Sequence, residues 1–200
     1  MSTPKIGIVI STTRQGRFGD RPAQWIFDIA KQRHDLQFEL IDLRDYPIPM
    51  FDAPIAPAYA PIANEEAQRW AKKVAELDGF IFVTAEYNHS IPAVLKNTLD
   101  HVHHEWKHKP AAFVGYGGTG AARAVEHLRS ILVELAMVPT RFAVHIGMEP
   151  YLGVLRDGKS FNDYDFLKLT AGMMLDELAW YARTLKAGRE ESAVDEAVAA

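Results

Sequence analysis

Residues 5–20, KIGIVISTTRQGRFGD, join a short apolar run to a loop rich in hydroxyl groups, glycines and arginines. The run at 6–10 is almost wholly aliphatic, which indicates a strand that is buried on both faces of a parallel sheet. Pro22 follows the loop and suits the first turn of a helix. A strand, a polar loop and a helix in this order predict one βα unit, with a binding loop at the carboxyl end of its strand.

The same alternation continues along the chain. Further apolar runs predict strands at 36–40, 80–83, 111–114 and 141–146, and segments with a helical period lie between them. The last helical segment carries Phe166, Leu169, Met173, Met174 and Tyr181, and we expect its methionine pair to fill the core. Five successive βα units predict an α/β fold, a doubly wound five-stranded parallel sheet with helices on both faces.

Length and composition limit the domain organisation and the classes of function that this chain can have. The chain has 200 residues, of which 48% are hydrophobic and 24% charged, as in a single globular domain with its own core. We expect that domain over residues 1–188, followed by a charged, flexible tail over 189–200. A net charge of −4 argues against a nucleic-acid partner, and the absence of cysteine excludes thiolate catalysis and Cys-ligated metals. The N-terminal apolar run is too short for a membrane span and lacks a signal-peptide pattern, so we expect a cytoplasmic protein without a membrane partner.

Doubly wound sheets bind ligands beyond the carboxyl ends of their strands, so the loops after the first, third and fourth predicted strands matter most. In the first of them, backbone N–H groups, a helix N-terminus and two guanidinium groups predict a phosphate site. The alternative is an N-capping loop with solvated arginines. The loop lacks the pattern G-x-x-x-x-G-K-[ST], which argues against a nucleoside-triphosphate site.

The other two loops suit a flat ring. Residues 84–92, TAEYNHSIP, combine an aromatic ring with amide and hydroxyl groups, although a capping turn with a packed tyrosine is also compatible. Residues 115–120, GYGGTG, fit the pattern G-x-G-x-x-G. A Rossmann site places that pattern after the first strand. We therefore interpret these glycines as allowing the backbone to approach a ligand ring closely.

Three segments together resemble the NAD(P)H-dependent FMN reductase family: STTRQGRFGDRPAQWI at 11–26, EYNHSIPAVLKNTLDH at 86–101 and YGGTGAARAVEHLR at 116–129. They stand in the family's order, and the second is the most specific. The resemblance implies a flavodoxin-like fold with strand order 2-1-3-4-5 and a single flavodoxin-like FMN-binding domain over 1–188. The chain departs from the family at Ala85, where proline is usual, at Gly115, where serine is frequent, and at Ala121, where glycine is frequent.

The resemblance also implies the cofactor site and the reaction. FMN would lie with its phosphate on Ser11, Thr13, Arg14, Arg17 and Phe18, its ring along Glu86, Tyr87, Asn88 and Ser90, and its pyrimidine edge at Gly117 and Gly118. NADPH or NADH would be the cosubstrate, and hydride would pass in ping-pong fashion to FMN and then to a flavin, quinone or azo acceptor, a small flat molecule. Because the cofactor carries this chemistry, no catalytic side chain is assigned. Family members are homodimers or homotetramers, which implies a homo-oligomer here.

The sequence suggests two alternative functions. One is a non-catalytic flavodoxin-like electron carrier or flavin-binding sensor. The other is a zinc hydrolase, since His104, Glu105 and His108 match the pattern H-E-x-x-H. A zinc helix needs both histidines on one face, one turn apart, whereas Pro110 disfavours helix just before it. We therefore expect no metal site there, with Trp106 packed against the sheet or a partner subunit.

Overall fold

The structure, a computed structural model, describes the backbone of residues 2–199 and the side chains of residues 2–192. Strands and helices alternate along this part of the chain. The strands are β1 (Lys5–Ile10), β2 (Gln37–Asp42), β3 (Gly79–Ala85), β4 (Pro110–Tyr116), β5 (Val138–Pro139) and β6 (Val144–Ile146). The helices are α1 (Asp20–Ala30), α2 (Glu65–Ala75), α3 (Ala93–Asp100), α4 (Ala122–Glu134), α5 (Met148–Arg156) and α6 (Asp165–Ala199).

The sheet is parallel and has the order β2-β1-β3-β4-β5, with β6 also paired to β4. This confirms the flavodoxin-like order. The single fifth strand predicted over 141–146 is wrong in detail, because two short strands share that position. The backbone N–H groups of Arg141 and Phe142 donate to Glu177 on α6 at 3.0 and 2.9 Å, and this contact takes the intervening segment away from the ladder.

Helices cover both faces of the sheet and form two cores. One core lies under α1 and α6, and the other lies under α2, α3 and α4. Strands β3 and β4 are buried at every position, as central parallel strands require. Burial of one large aliphatic or aromatic side chain contributes about 1.5–3 kcal/mol, so the centre of the sheet is the rigid base on which the neighbouring loops stand.

Helix α6 buries a different face from the predicted one. Phe166, Leu169 and Met173 are 53%, 68% and 39% exposed, whereas Met174 is fully buried, so only one methionine of the pair fills the core. The buried face consists of Leu167, Ala171, Met174, Leu175, Leu178, Ala179 and Ala182. Apolar residues occur on both sides of this helix, and a helical period alone does not decide between them. Among the described residues, neither α6 nor another helix is long and apolar enough to span a membrane.

The predicted tail begins inside α6. Arg189 donates to Asp78 at 2.7 Å and to the carbonyl oxygen of His108 at 2.6 Å, so the first residue of the segment 189–200 is attached to the amino end of the sheet. The helix continues through Ala199. Flexibility of the tail stays a prediction, and Ala200 and the side chains of residues 193–199 lie outside the described residues.

The H-E-x-x-H match does not form the turn that zinc requires. His104 and Glu105 lie in a short 3-10 turn, His104–Trp106, and His108 has a left-handed φ of 56°. Trp106 is fully buried, with its ring centroid 4.9 Å from that of Phe80 on β3, which confirms its packing against the sheet. Among the described residues, no three His, Asp or Glu side chains are grouped so as to hold a metal ion.

Candidate functional site

The loops after β1, β3 and β4 meet in one cleft at the carboxyl edge of the sheet. Its volume is about 370 Å³, within the range of small-molecule sites. Helix α5, which was not predicted from the sequence, closes the cleft with Tyr151 and Leu155. The loops, with the adjoining ends of α1, β3 and β4, contribute Arg14, Gly16, Arg17, Phe18, Arg21, Ala85, Glu86, Tyr87, Tyr116 and Gly117. The three loops selected from the sequence therefore face the same space.

The cleft gathers some of the predicted site residues and leaves others outside its lining. Arg14, Arg17, Phe18, Glu86, Tyr87 and Gly117 line it, whereas Thr13, Asn88 and Gly118 are exposed outside the lining. Ser11 is fully buried, and its hydroxyl donates to the carbonyl oxygen of Val9 at 3.3 Å. Ser90 also lies outside the lining, where its hydroxyl forms a 2.8 Å hydrogen bond with Nδ1 of His127.

The first loop presents one free guanidinium and bare backbone. Arg14 is exposed and lies 5.9 Å from the ring centroid of Tyr87, without a side-chain hydrogen bond to any described residue. Gly16 and Gly117 have φ values of 67° and 128°, and a Cβ built on either would meet no atom within 4 Å. The main chain is thus uncovered on two sides of the cleft. An exposed guanidinium with open backbone beside it suits the phosphate end of FMN.

Arg17 is engaged within the protein. Its side chain is 2% exposed. Nε donates to Asp20, Nη1 to Asp42 and to the carbonyl oxygen of Thr12, and Nη2 to Asp20 and Asp42. These contacts use all five N–H groups of a guanidinium. Of the two-arginine clamp expected from the sequence, the structure therefore leaves only Arg14 free, and Arg17 ties the loop to the end of β2.

The carboxylate of Asp42, which binds Arg17, keeps its negative charge near neutral pH. Burial alone would raise the pKa of Asp42, but hydrogen bonds from Arg17 and Arg44 outweigh it and hold the pKa well below its usual range. The Asp42 carboxylate is therefore ionised wherever the protein is folded near neutral pH. It fixes Arg17, and through Arg17 the shape of the first loop.

The loop after β3 contains a tight turn. The backbone N–H of Tyr87 donates to the carbonyl oxygen of Ser90 at 2.9 Å, and that of Ser90 donates back at 3.1 Å. Between them Asn88 and His89 have left-handed φ values of 51° and 70°, which is the geometry of a type I′ turn. Neither central N–H donates to another backbone group of the described chain. Both are therefore available to acceptor atoms on the edge of a flat ring.

Glu86 lines the cleft, but its carboxylate is directed to the start of α4. It accepts hydrogen bonds from the backbone N–H of Arg123 at 3.1 Å and from Arg123 Nε at 2.6 Å. Thr119 Oγ1 and the N–H of Ala124 donate to it at 3.2 and 3.4 Å. Burial alone would raise the pKa of Glu86, and these hydrogen bonds, chiefly those from Arg123, lower it below its ordinary value.

Comparison with known proteins agrees with this geometry. Residues 4–149 match the family model described as NADPH-dependent FMN reductase. The chain belongs to the NADPH-dependent FMN reductase family. A member from Schizosaccharomyces pombe, an NAD(P)H-dependent FMN reductase, is 36% identical over 142 residues, which cover 69% of this chain and 71% of that protein.

Other relatives extend the comparison. A 2-hydroxy-1,4-benzoquinone reductase from a Burkholderia species is 32% identical over 141 residues, 67% of this chain and 73% of the relative. Among solved structures, the flavoenzyme NAD(P)H:(acceptor) oxidoreductase FerB from Paracoccus denitrificans superposes with a TM-score of 0.70. It is 22% identical and the match covers 90% of this chain and 98% of FerB, so it shows the shared fold.

Gly115 and Ala121, where the resemblance implied serine and glycine, are neighbours in the structure. A Cβ added to Gly115 would lie 3.0 Å from the Cβ of Ala121 and 2.4 Å from the carbonyl oxygen of Gly120. The shorter of these two contacts is with the backbone, so the path of the chain at Gly120 leaves no room for a side chain at 115. Ala121 is fully buried beside it.

Of the aromatic side of the cleft, the sequence predicted Phe18 but not Tyr116 or Tyr151. The ring of Phe18 lies 4.5 Å from that of Tyr151 and 5.6 Å from that of Tyr116. Tyr116 shares a 3.1 Å hydrogen bond with Thr12, and burial raises its pKa to about 12. This family member therefore has a neutral tyrosine between the loops after β1 and β4. Gly19 packs against the hydroxyl group of that tyrosine. Tyr116 lies within the glycine-rich motif, which could have drawn attention to it.

Proposed function

We propose that the protein is an FMN-dependent NAD(P)H oxidoreductase that transfers electrons from a nicotinamide dinucleotide to a small flat acceptor. The observation that carries this proposal is the cleft in which the loops after β1, β3 and β4 converge. It combines an exposed guanidinium, uncovered backbone and aromatic rings, which are the groups that a phosphorylated flavin requires. Membership of the FMN reductase family supports it.

The proposed roles of the residues follow from their positions. When bound, FMN would supply the hydride chemistry, and the protein would supply binding, orientation and electrostatics. Arg14, with Thr13 and Phe18 beside it, would hold the phosphate, while Ser11 and Arg17 would shape the loop from within. Tyr87, Asn88 and Ser90 would present the turn to the ring, and Gly117 and Gly118 would let the pyrimidine edge approach the backbone. No side chain needs to act as a dedicated acid or base.

The acceptor class is proposed from relatives of known name. They include the benzoquinone reductase and an FMN-dependent NADPH-azoreductase from Staphylococcus saprophyticus, 28% identical over 156 residues. A quinone, an azo compound or a free flavin would enter the slot that the nicotinamide has left. We also propose that the protein acts in the cytoplasm as a homodimer or homotetramer.

Steady-state kinetics test the proposed function. Rates are measured with NADPH and with NADH, each against a benzoquinone at several fixed concentrations, in the presence of FMN. A shared slot predicts ping-pong kinetics and therefore parallel double-reciprocal lines. Absence of nicotinamide oxidation, with flavin bound, would instead support a non-catalytic electron carrier or sensor.

A further inference from the structure

The turn after β3 and the glycine loop after β4 are joined by one carboxylate. Glu86 begins the turn, and its side chain is 7% exposed. The donors that it accepts from, Thr119, Arg123 and Ala124, all follow the glycines 117 and 118 in the chain. Two of the donors are backbone N–H groups of the first turn of α4, which other residues would otherwise have to satisfy.

Helix α4 has no cap of its own. The residue before it, Ala121, has a left-handed φ of 55° and no side chain that accepts a hydrogen bond. Helix N-termini are stabilised by a neighbouring negative charge. Glu86 supplies that charge from another loop, so the glycine loop and the turn share one anchoring group.

Arg123 extends the junction to the turn itself. Its Nε donates to Glu86, and its Nη1 lies 2.9 Å from Nε2 of His89. A guanidinium only donates hydrogen bonds, so Nε2 of His89 is the acceptor. His89, at the tip of the turn, therefore contacts Arg123, the same residue that binds the carboxylate of Glu86 at the base of the turn.

We propose that Glu86 is a positioning residue, which fixes the separation between the flavin turn and the glycine loop without itself contacting the flavin. The inference rests on the proposed function, since it concerns the two loops that would enclose the flavin ring. Loss of the Glu86 charge frees the glycine loop to move away from the turn. The contacts that suffer are those to the ring, while those to the phosphate at Arg14 are unchanged.

The test is a fluorescence titration of FMN and of riboflavin with the wild type and with E86Q. Glutamine has nearly the same size but lacks the charge that attracts Arg123 and the helix N-terminus. We expect the dissociation constants for both flavins to rise by the same factor, roughly tenfold for the loss of charge-assisted hydrogen bonds. The absorption band of the bound flavin should also shift, because its ring lies in a looser slot.

Glu177→Gln is the matched control. Glu177 also accepts hydrogen bonds from two backbone N–H groups, those of Arg141 and Phe142, but does not line the cleft. We expect E177Q to lower the melting temperature and leave both flavin affinities and the flavin spectrum unchanged. If E86Q does not fold, R123A removes the side-chain donors and leaves the backbone donors, with an expected loss of roughly threefold for both flavins.

Three results would overturn the proposal. E86Q that melts earlier but binds both flavins like the wild type would show that Glu86 serves stability alone. A loss for FMN that greatly exceeds the loss for riboflavin would place its effect at the phosphate. Wild-type protein that binds neither flavin would overturn the proposed function together with this inference, whereas the first two results leave the proposed function standing.

Discussion

Arg14 and Arg17 stand three positions apart in one loop, yet the structure gives them different environments. Arg14 is exposed beside the cleft, and Arg17 donates all of its N–H groups to the protein. We expect R14A to weaken FMN binding by at least tenfold, as the loss of a charge-assisted hydrogen bond would. Riboflavin, which lacks the phosphate, should bind almost as before, and parallel titrations with the two flavins measure the difference.

Arg17→Ala should act on stability instead. It leaves the Asp42 carboxylate without its most buried partner, and breaking such a pair costs about 3 kcal/mol of the free energy of unfolding. Urea denaturation measures this loss. A stable R17A protein with a selective defect in FMN binding would contradict the arrangement and restore the two-arginine clamp.

Ala136 has a left-handed conformation two residues after the end of α4. Its φ is 55°, and the N–H of Met137 donates to the carbonyl oxygen of Leu132 at 2.9 Å, which is a Schellman motif. Glycine avoids the cost of that conformation, so A136G should stabilise the protein by about 1 kcal/mol. Thermal denaturation of the wild type and A136G shows whether the substitution raises the melting temperature, as we expect.

Ala187→Gly is the control for that change, because Ala187 lies in the interior of α6. There the same substitution should destabilise by up to about 1 kcal/mol. Equal effects of A136G and A187G would mean that the backbone at 136 is not strained.

At the scale of elements, Lys109 joins α2 to the start of β4. Its ammonium donates to the carbonyl oxygen of Val74 at 2.7 Å, and burial lowers its pKa to about 8. An unfolded lysine has a pKa near 10.4, so between these values the unfolded chain binds more protons than the folded one. Stability from this group must therefore rise with pH across that window.

Denaturation of wild type and K109M at pH 8 and pH 10 isolates this contribution, because all other groups are common to both proteins. From pH 8 to pH 10, we expect the free energy of unfolding of the wild type to rise by roughly 2 kcal/mol more than that of K109M. A difference that stays constant with pH would show that Lys109 keeps its ordinary pKa in the folded protein.

The elements differ in how far the sequence predicts them. Strands β3 and β4 are buried on both faces, and their continuous apolar runs predict buried strands of a parallel sheet. Helix α5 is short, with Gly153 in its interior, and its signals are weak: Glu149 in the first turn and Gly158 just beyond its end. The buried face of α6 depends on which stripe meets the sheet, and that is settled by packing rather than by period.

At the scale of the whole molecule, topology explains why the site was predictable in outline. Parallel strands β1, β3 and β4 are neighbours, so the loops at their carboxyl ends must lie side by side. The partners within the site were not predictable. Arg17 is bound by Asp42, and Glu86 by Arg123, residues 25 and 37 positions away, and no local pattern specifies such pairs.

We propose that this cleft binds FMN in a form that a nicotinamide can reduce. The most direct measurement is an anaerobic titration of the purified protein, first with FMN and then with NADPH or NADH, followed by flavin fluorescence and visible absorption. We expect the protein to quench FMN fluorescence to a stoichiometric end point, the flavin band to disappear on addition of the nicotinamide, and a quinone to restore it. FMN that remains free in solution, or bound FMN that neither nicotinamide reduces, would contradict the proposed function.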